Sequence, residues 1–134
     1  MKYLILCFAV FAVASAALYT EAEFTTIKTH SKECQDSTHL DADKLAELRK
    51  RHFDENDDKI KEYLFCVFKK MGWQHDDGTV DKAHVETTMS KNDVAKTAMD
   101  KCIDKHGSTG PETAFTVFKC WWDHLPADFK MVSH

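Results

Sequence analysis

Four cysteines behind an export leader constrain this chain more than any other feature. Met1, Lys2 and Tyr3 precede the apolar run Leu4 to Val13, and Ala14, Ser15 and Ala16 supply the small A-x-A pattern of a secretory cleavage site. That apolar run falls short of the ~20 residues a membrane-spanning helix needs, and no other uncharged stretch approaches that length. Residues 1–16 therefore read as a signal peptide, and 17–134 as one secreted domain with no membrane insertion. Cys7 leaves with the leader. Cys34, Cys66, Cys102 and Cys120 remain, and in an oxidising compartment an even set implies two disulfides. Their separations of 32, 36 and 18 positions lack the short ligand pairs of a zinc site, so no metal is expected. Spacing leaves all three pairings open.

Loss of the leader leaves 118 of the 134 residues, enough to bury a workable core that the bridges reinforce. Only 4 Gly and 2 Pro interrupt the chain, too few for disorder or a repeat array. The net charge of −4 becomes −5 once Lys2 is removed. A chain of that sign offers no basic face to a phosphate backbone, which excludes a nucleic-acid partner.

Apolar residues recur with a helical period in six segments, and sustained period-two alternation is absent, so the fold class is all-α, a compact bundle of about six helices. The first segment, about Leu18 to Gln35, sets Phe24, Ile27 and Cys34 on one side. The second, Asp41 to His52, buries Leu45 and Leu48 and ends in Arg49, Lys50 and Arg51, a basic cluster read as a solvated helix end suited to the dipole. The third is the strongest: Ile60, Tyr63, Leu64, Val67, Phe68 and Met71 follow the helical stripe, Asp57 and Asp58 open it, and Gly72 stops it. It is expected to be the buried central helix. Gln74 to Thr79, with Asp77-Gly78, reads as a turn. A fourth helix spans about Val80 to Met89. Ser90 or Asn92 caps a fifth, whose face holds Val94, Ala95, Ala98, Met99, Cys102 and Ile103. Pro111 opens a sixth, in which Phe115, Val117, Phe118, Trp121, Trp122 and Leu125 form a wide aromatic face before Pro126. Trp122 is expected to point elsewhere, since neighbours on a helix differ by ~100°. Phe129, Met131 and Val132 are too apolar to leave in water, so the tail is expected to fold back over the body.

Patterns that resemble functional motifs fail on their own chemistry. Asp54-x-Asn56-x-Asp58 opens like a calcium loop, yet Lys59 replaces the required Gly and Phe65 the bidentate Glu. Gly107-Ser108-Thr109-Gly110 lacks the strand-turn-helix setting of a hydrolase nucleophile. The eight histidines form no pair at i, i+4. Neither enzyme activity nor a cofactor is expected. What stands out is apolar quality: Phe, Trp and Met crowd the third and sixth helices, and flexible thioethers suit a wall that adapts to varied apolar guests. Such stripes also make plain solid cores.

The cysteine skeleton weighs between those readings. A secreted chain of about 120 helical residues with this spacing resembles, across its whole mature length, the insect odorant-binding proteins of the pheromone- and general-odorant-binding type. In that family a second cysteine stands at the position of Glu62 and a fifth at that of Pro111. Both are absent here, so the chain resembles the four-cysteine, Minus-C subgroup. Joint loss leaves no stray thiol in an oxidising compartment. The segments Asn92-Asp-Val-Ala-Lys-Thr-Ala-Met-Asp-Lys-Cys102 and Phe118-Lys-Cys-Trp121 are similar to family segments.

The resemblance implies bridges Cys34–Cys66 and Cys102–Cys120, and an apolar cavity that carries odorants, pheromones or other lipophilic molecules through aqueous fluid. It implies that Trp121 lines the cavity, with Phe115 and Phe118 beside it, and that Phe129, followed by Met131, belongs to a capping tail. Periodicity adds Phe68, Met71, Met89 and Met99 to the ligand-binding set. The partners implied are a small lipophilic ligand and a membrane chemoreceptor, with the protein a monomer or weak dimer. His124 and His134, near the cap, are expected to gain charge toward pH 5 and loosen it. The competing reading is a secreted helical interaction protein, cytokine-like or salivary, with a solid core. Saposin-like lipid binding is weaker because it needs six cysteines in another spacing, and a hydrolase comes last.

Without the third bridge, the third and sixth helices should separate more readily than in six-cysteine relatives. Installing Glu62→Cys together with Pro111→Cys should raise hydrogen-exchange protection in both; equal protection would refute the idea.

Overall fold

Thr20 starts the helical part of the chain by a reciprocal cap: its hydroxyl accepts from Glu23 N–H at 3.2 Å, and the Glu23 carboxylate accepts from Thr20 N–H at 3.0 Å. The structure, a computed structural model, describes residues 17–132, and the side chains of 19–129. The signal peptide read at 1–16, His134 and the side chain of Met131 lie outside the described residues.

A strand β1 (Ala17–Tyr19) precedes six helices: α1 (Glu21–Thr38), α2 (Ala42–Arg49), α3 (Asp58–Lys70), α4 (Lys82–Met89), α5 (Asp93–Asp100) and α6 (Gly110–Asp123). Strand β2 (Lys130–Val132) follows and pairs with β1 in parallel, Ala17 opposite Lys130 and Tyr19 opposite Val132. The all-α class stands, and the tail does fold back. Its means of doing so, two strands of three residues each, is too short to leave an alternation in the sequence.

Local chemistry sets the helix ends. Asp57 accepts from Lys59 and Ile60 N–H at α3, and Asn92 accepts from Val94 and Ala95 N–H at α5. Helix α2 ends sooner than expected because Arg51 turns left-handed, φ +66°. That turn is not a solvated end: the Arg51 guanidinium reaches across the molecule to α6. Helix α5 also stops early, at Asp100, leaving Cys102 and Ile103 in the following turn.

Helix α3 is the central element, packed on α1 and on α6. Its Ile60, Tyr63, Leu64, Val67 and Phe68 are all buried. Two disulfides hold the frame, Cys34–Cys66 joining α1 to α3 and Cys102–Cys120 joining the turn after α5 to α6. At the other end of the α3–α6 seam, Lys61 lies nearly buried and donates to Glu112 at 2.8 Å. That hydrogen bond holds the Lys61 ammonium above its ordinary pKa. Gln74 donates to the carbonyls of Gly78 and Gly110, each at 2.9 Å, tying the expected turn to the start of α6. Gly110 permits this closeness, since a Cβ there would stand 2.6 Å from the Phe65 ring. Among the described residues no helix is long and apolar enough to cross a membrane.

Gly110→Ala should therefore wedge α6 from α3. The expected loss is on the order of 1–3 kcal/mol, the usual range for overpacking, or about 5 °C in thermal midpoint. An unchanged midpoint would show that Phe65 simply swings aside.

Candidate functional site

The hydrophobic residues that make α3 and α6 helical partners do not fill the space between them and α1 and α2. A cavity of about 490 Å³ remains and opens to solvent. That is the size range of small-molecule sites. Helix α3 contributes Tyr63, Leu64, Val67 and Phe68, with Met71 and Trp73 just beyond it; α6 contributes Phe118, Trp121 and Trp122; Phe129 comes from the tail. Leu45 and Leu48 of α2 and Phe24 and Ile27 of α1 complete the apolar wall.

The wall is aromatic and stiffly held. Trp121 is 1% exposed and its indole N–H donates to the Ala95 carbonyl at 3.1 Å, which fixes the ring from behind. Phe129 meets its edge, centroids 6.4 Å apart. Phe118 stacks on Trp122 at 5.4 Å and lies 6.2 Å from Phe68. Trp122 thus joins the wall, against expectation, because the cavity is wide enough to take residues at adjacent angles on α6. Its indole nitrogen is buried and finds no partner among the described residues.

Polar groups gather at one side. Ser31 and Tyr63 share a hydrogen bond of 2.5 Å, and burial raises the Tyr63 phenol above its usual pKa. Exposed Lys28 and Arg49 sit at the rim, so a cavity walled by hydrocarbon has a cationic edge.

Of the sequence-derived ligand set, the structure brings Phe68, Met71, Phe118, Trp121 and Phe129 together on this wall. Met89 and Met99 lie elsewhere, 0% and 1% exposed in the packed core, on α4 and α5, which supply no wall residue. Helical periodicity marks a buried face without telling whether filled space or a void lies beyond it. Phe115 packs edge-on against Phe53 at 6.1 Å and lines a separate, polar cleft with Glu55, Lys61 and Lys119. His124 belongs to that cleft too. Its Nδ1 lies 2.7 Å from the Cys120 carbonyl and 3.8 Å from the Cys120 sulfur, so the ring sits against the disulfide rather than in the apolar cavity. Cys102, Cys120 and His124 converge as metal ligands would, but both sulfurs are spent in the bridge. The sequence-derived set misses Trp73, Trp122 and the polar Lys28, Ser31 and Arg49, and also the apolar wall from the first three helices; the stripes that placed Phe24 and Ile27, Leu45 and Leu48, and Tyr63, Leu64 and Val67 on buried faces were the signal that could have flagged it.

The sequence profile of the PBP/GOBP family matches residues 16–124. The chain belongs to the PBP/GOBP family. It is 33% identical over 125 residues to odorant-binding protein 22 of Aedes aegypti, covering 90% of this chain and 89% of that protein. Among solved structures it is similar to a fatty acid binding protein, OBP56a, from the oral disk of the blowfly Phormia regina. That likeness has 27% identity and a TM-score of 0.62, over 79% of this chain and 94% of the other. Odorant binding protein 4 of the predator Chrysopa pallens shares the fold, with 24% identity and a TM-score of 0.71 over 81% and 99% of the two chains.

In this PBP/GOBP chain one arginine locks the cavity's two sides together. The Arg51 guanidinium donates to the carbonyls of Trp122, Leu125 and Pro126 at 3.0, 2.9 and 2.7 Å and lies 5.1 Å from the Trp122 ring. It thereby adds charge-assisted hydrogen bonds to carbonyls at and just past the end of α6, from an anchor next to wall residues Leu48 and Arg49. Arg51→Lys keeps the charge and loses the fork. The expected destabilisation is ~2 kcal/mol by urea denaturation, in the range for charge-assisted hydrogen bonds. A midpoint equal to wild type would mean water replaces the clamp without loss.

Proposed function

We propose that this chain is a secreted carrier that takes small hydrophobic molecules, odorants, pheromones or other lipophiles, into the cavity between α1, α2, α3 and α6 and moves them through aqueous fluid. The observation that carries this is the cavity itself, about 490 Å³ with a wall almost wholly of aromatic and aliphatic carbon. A helical interaction protein with a solid core would have no use for such a void. Membership of the PBP/GOBP family, and the likeness to a protein described as fatty acid binding, support the same reading. The ligand contacts are Phe68, Met71, Phe118, Trp121 and Phe129, with the Trp122 N–H offered to an acceptor atom and the cationic rim suited to an acidic headgroup.

Binding needs no reaction, and the residues here hold and release. A ligand hiding ~300 Å² of apolar surface gains on the order of 7 kcal/mol before ordering is deducted, which leads to roughly micromolar affinity and broad selectivity. The Minus-C assignment belongs to this reading: Cys34, Cys66, Cys102 and Cys120 are consumed in two bridges, and Glu62 and Pro111 stand where the third would be. Delivery to a membrane chemoreceptor, as a monomer or weak dimer, completes it.

The apolar probe N-phenyl-1-naphthylamine should bind the secreted protein with a micromolar Kd and be displaced by long-chain lipophiles. Met71→Glu sets a charge in the half-buried wall and should weaken the probe at least tenfold while the fold persists, since a carboxylate without a partner in an apolar site is heavily penalised. Equal binding by the variant would move the site out of this cavity.

A further inference from the structure

Beside the main cavity, and sharing Ile27, Met71 and Trp73 with it, lies a second cleft of about 320 Å³. Most of its polar groups are already engaged. The Trp73 indole N–H donates to the Thr88 hydroxyl at 3.4 Å, and that hydroxyl donates in turn to the His84 carbonyl at 3.2 Å. Lys91 donates to Glu23 at 2.6 Å, and Lys70 to Glu33 at 3.0 Å. Two buried groups are left over. Tyr19 is only 5% exposed, and among the described residues neither its hydroxyl nor the buried Nδ1 of His30 has a hydrogen-bond partner. A buried donor without an acceptor is costly and calls for an explanation, and both residues line this cleft.

We propose that this cleft is a headgroup compartment: it accepts the neutral oxygen of an alcohol, aldehyde or ketone whose hydrocarbon part lies in the main cavity. The inference rests on the carrier reading. Tyr19 O–H donates to the headgroup oxygen, and His30 Nδ1 accepts a hydrogen bond from an alcohol O–H or donates to a carbonyl according to its tautomer. Charge separates this class from acids. Glu23 stands close to Tyr19, and its carboxylate is held down to about 2 first by the Lys91 hydrogen bond, so it stays ionised. Lys91 lies 5.7 Å from the Tyr19 ring but already serves Glu23, so an acidic headgroup here would face a carboxylate without a free cation. Burial, with Glu23, pushes the Tyr19 phenol well above its ordinary pKa, which keeps it a donor. Met71, bordering both spaces, is the flexible partition.

The test compares the secreted wild-type chain with Tyr19→Phe, which removes one oxygen. Decan-1-ol and 1-chlorodecane, similar in length but differing in the headgroup, are titrated against bound N-phenyl-1-naphthylamine. Tyr19→Phe should weaken decan-1-ol about three- to tenfold, the worth of one hydrogen bond, and leave 1-chlorodecane unchanged. The ligand-free variant should melt at the same temperature as wild type or higher, because an orphaned hydroxyl contributes nothing to the empty fold. Unchanged decan-1-ol affinity in the variant, or a lower melting temperature, overturns the headgroup compartment while leaving the carrier intact. If neither compound displaces the probe from either protein, the carrier reading fails and this inference with it.

Discussion

Holding a void open is the demand on which the rest of this structure depends. Side chains that face empty space give up dispersion contacts on that side, and a loosely tied helix would slide inward to recover them. The chain resists collapse by fixing the helices from outside the cavity. Cys34–Cys66 ties α1 to α3, Cys102–Cys120 ties α6 to the turn after α5, and Arg51 ties the end of α2 to the end of α6. None of these locks lines the cavity, so its strength does not depend on filling the centre. The wall residues add stiffness of their own, for an indole hydrogen-bonded from behind, as Trp121 is to Ala95, cannot rotate into the gap without losing that bond.

Helix α6 has two duties that its sequence keeps apart by angle. Ala114 and Val117 are buried core, while Phe118, Trp121 and Trp122 present rings to the cavity and Thr116, Lys119 and Asp123 face the polar cleft. Gly110 at its first position lets the helix approach Phe65, and Glu112 two residues along draws in Lys61. The seam therefore closes at the start of α6 and parts toward its end. The cavity lies where it parts.

Much of this was legible in the chain. Cysteine count and the compartment implied by the leader forced two bridges, and the stripe from Ile60 to Met71 marked the central helix because a long period with good caps has little competition from other structures. The wall was half legible. Phe68, Phe118 and Trp121 are apolar at helical spacing, and so are Met89 and Met99, yet the last two pack solidly; nothing in spacing distinguishes a side chain that meets a neighbour from one that meets a void. Arg51 was misread for a related reason. A basic residue at a helix end is ordinarily solvated, and only the tertiary placement of the Trp122, Leu125 and Pro126 carbonyls gives its fork a target. Tyr19 and the β1–β2 pairing were invisible because three residues are too few to show a period.

The two locking chemistries differ in what they permit. A disulfide cannot open without a reductant, so α1–α3 and the α5–α6 corner are permanent on the time scale of binding. Hydrogen bonds exchange with water at far lower barriers, and those of Arg51, together with the short β1–β2 ladder and the Phe129–Trp121 contact, all sit at the tail end of the cavity. Opening concentrated there requires no change in the covalent frame. The α3–α6 seam, where a third bridge would stand, is held instead by Lys61–Glu112 and by Gln74 on Gly110, again reversible contacts. A fold that must both shield an oily guest and let it leave is served by that division: covalent bonds keep the cavity's shape, and polar contacts that water can replace guard its exits.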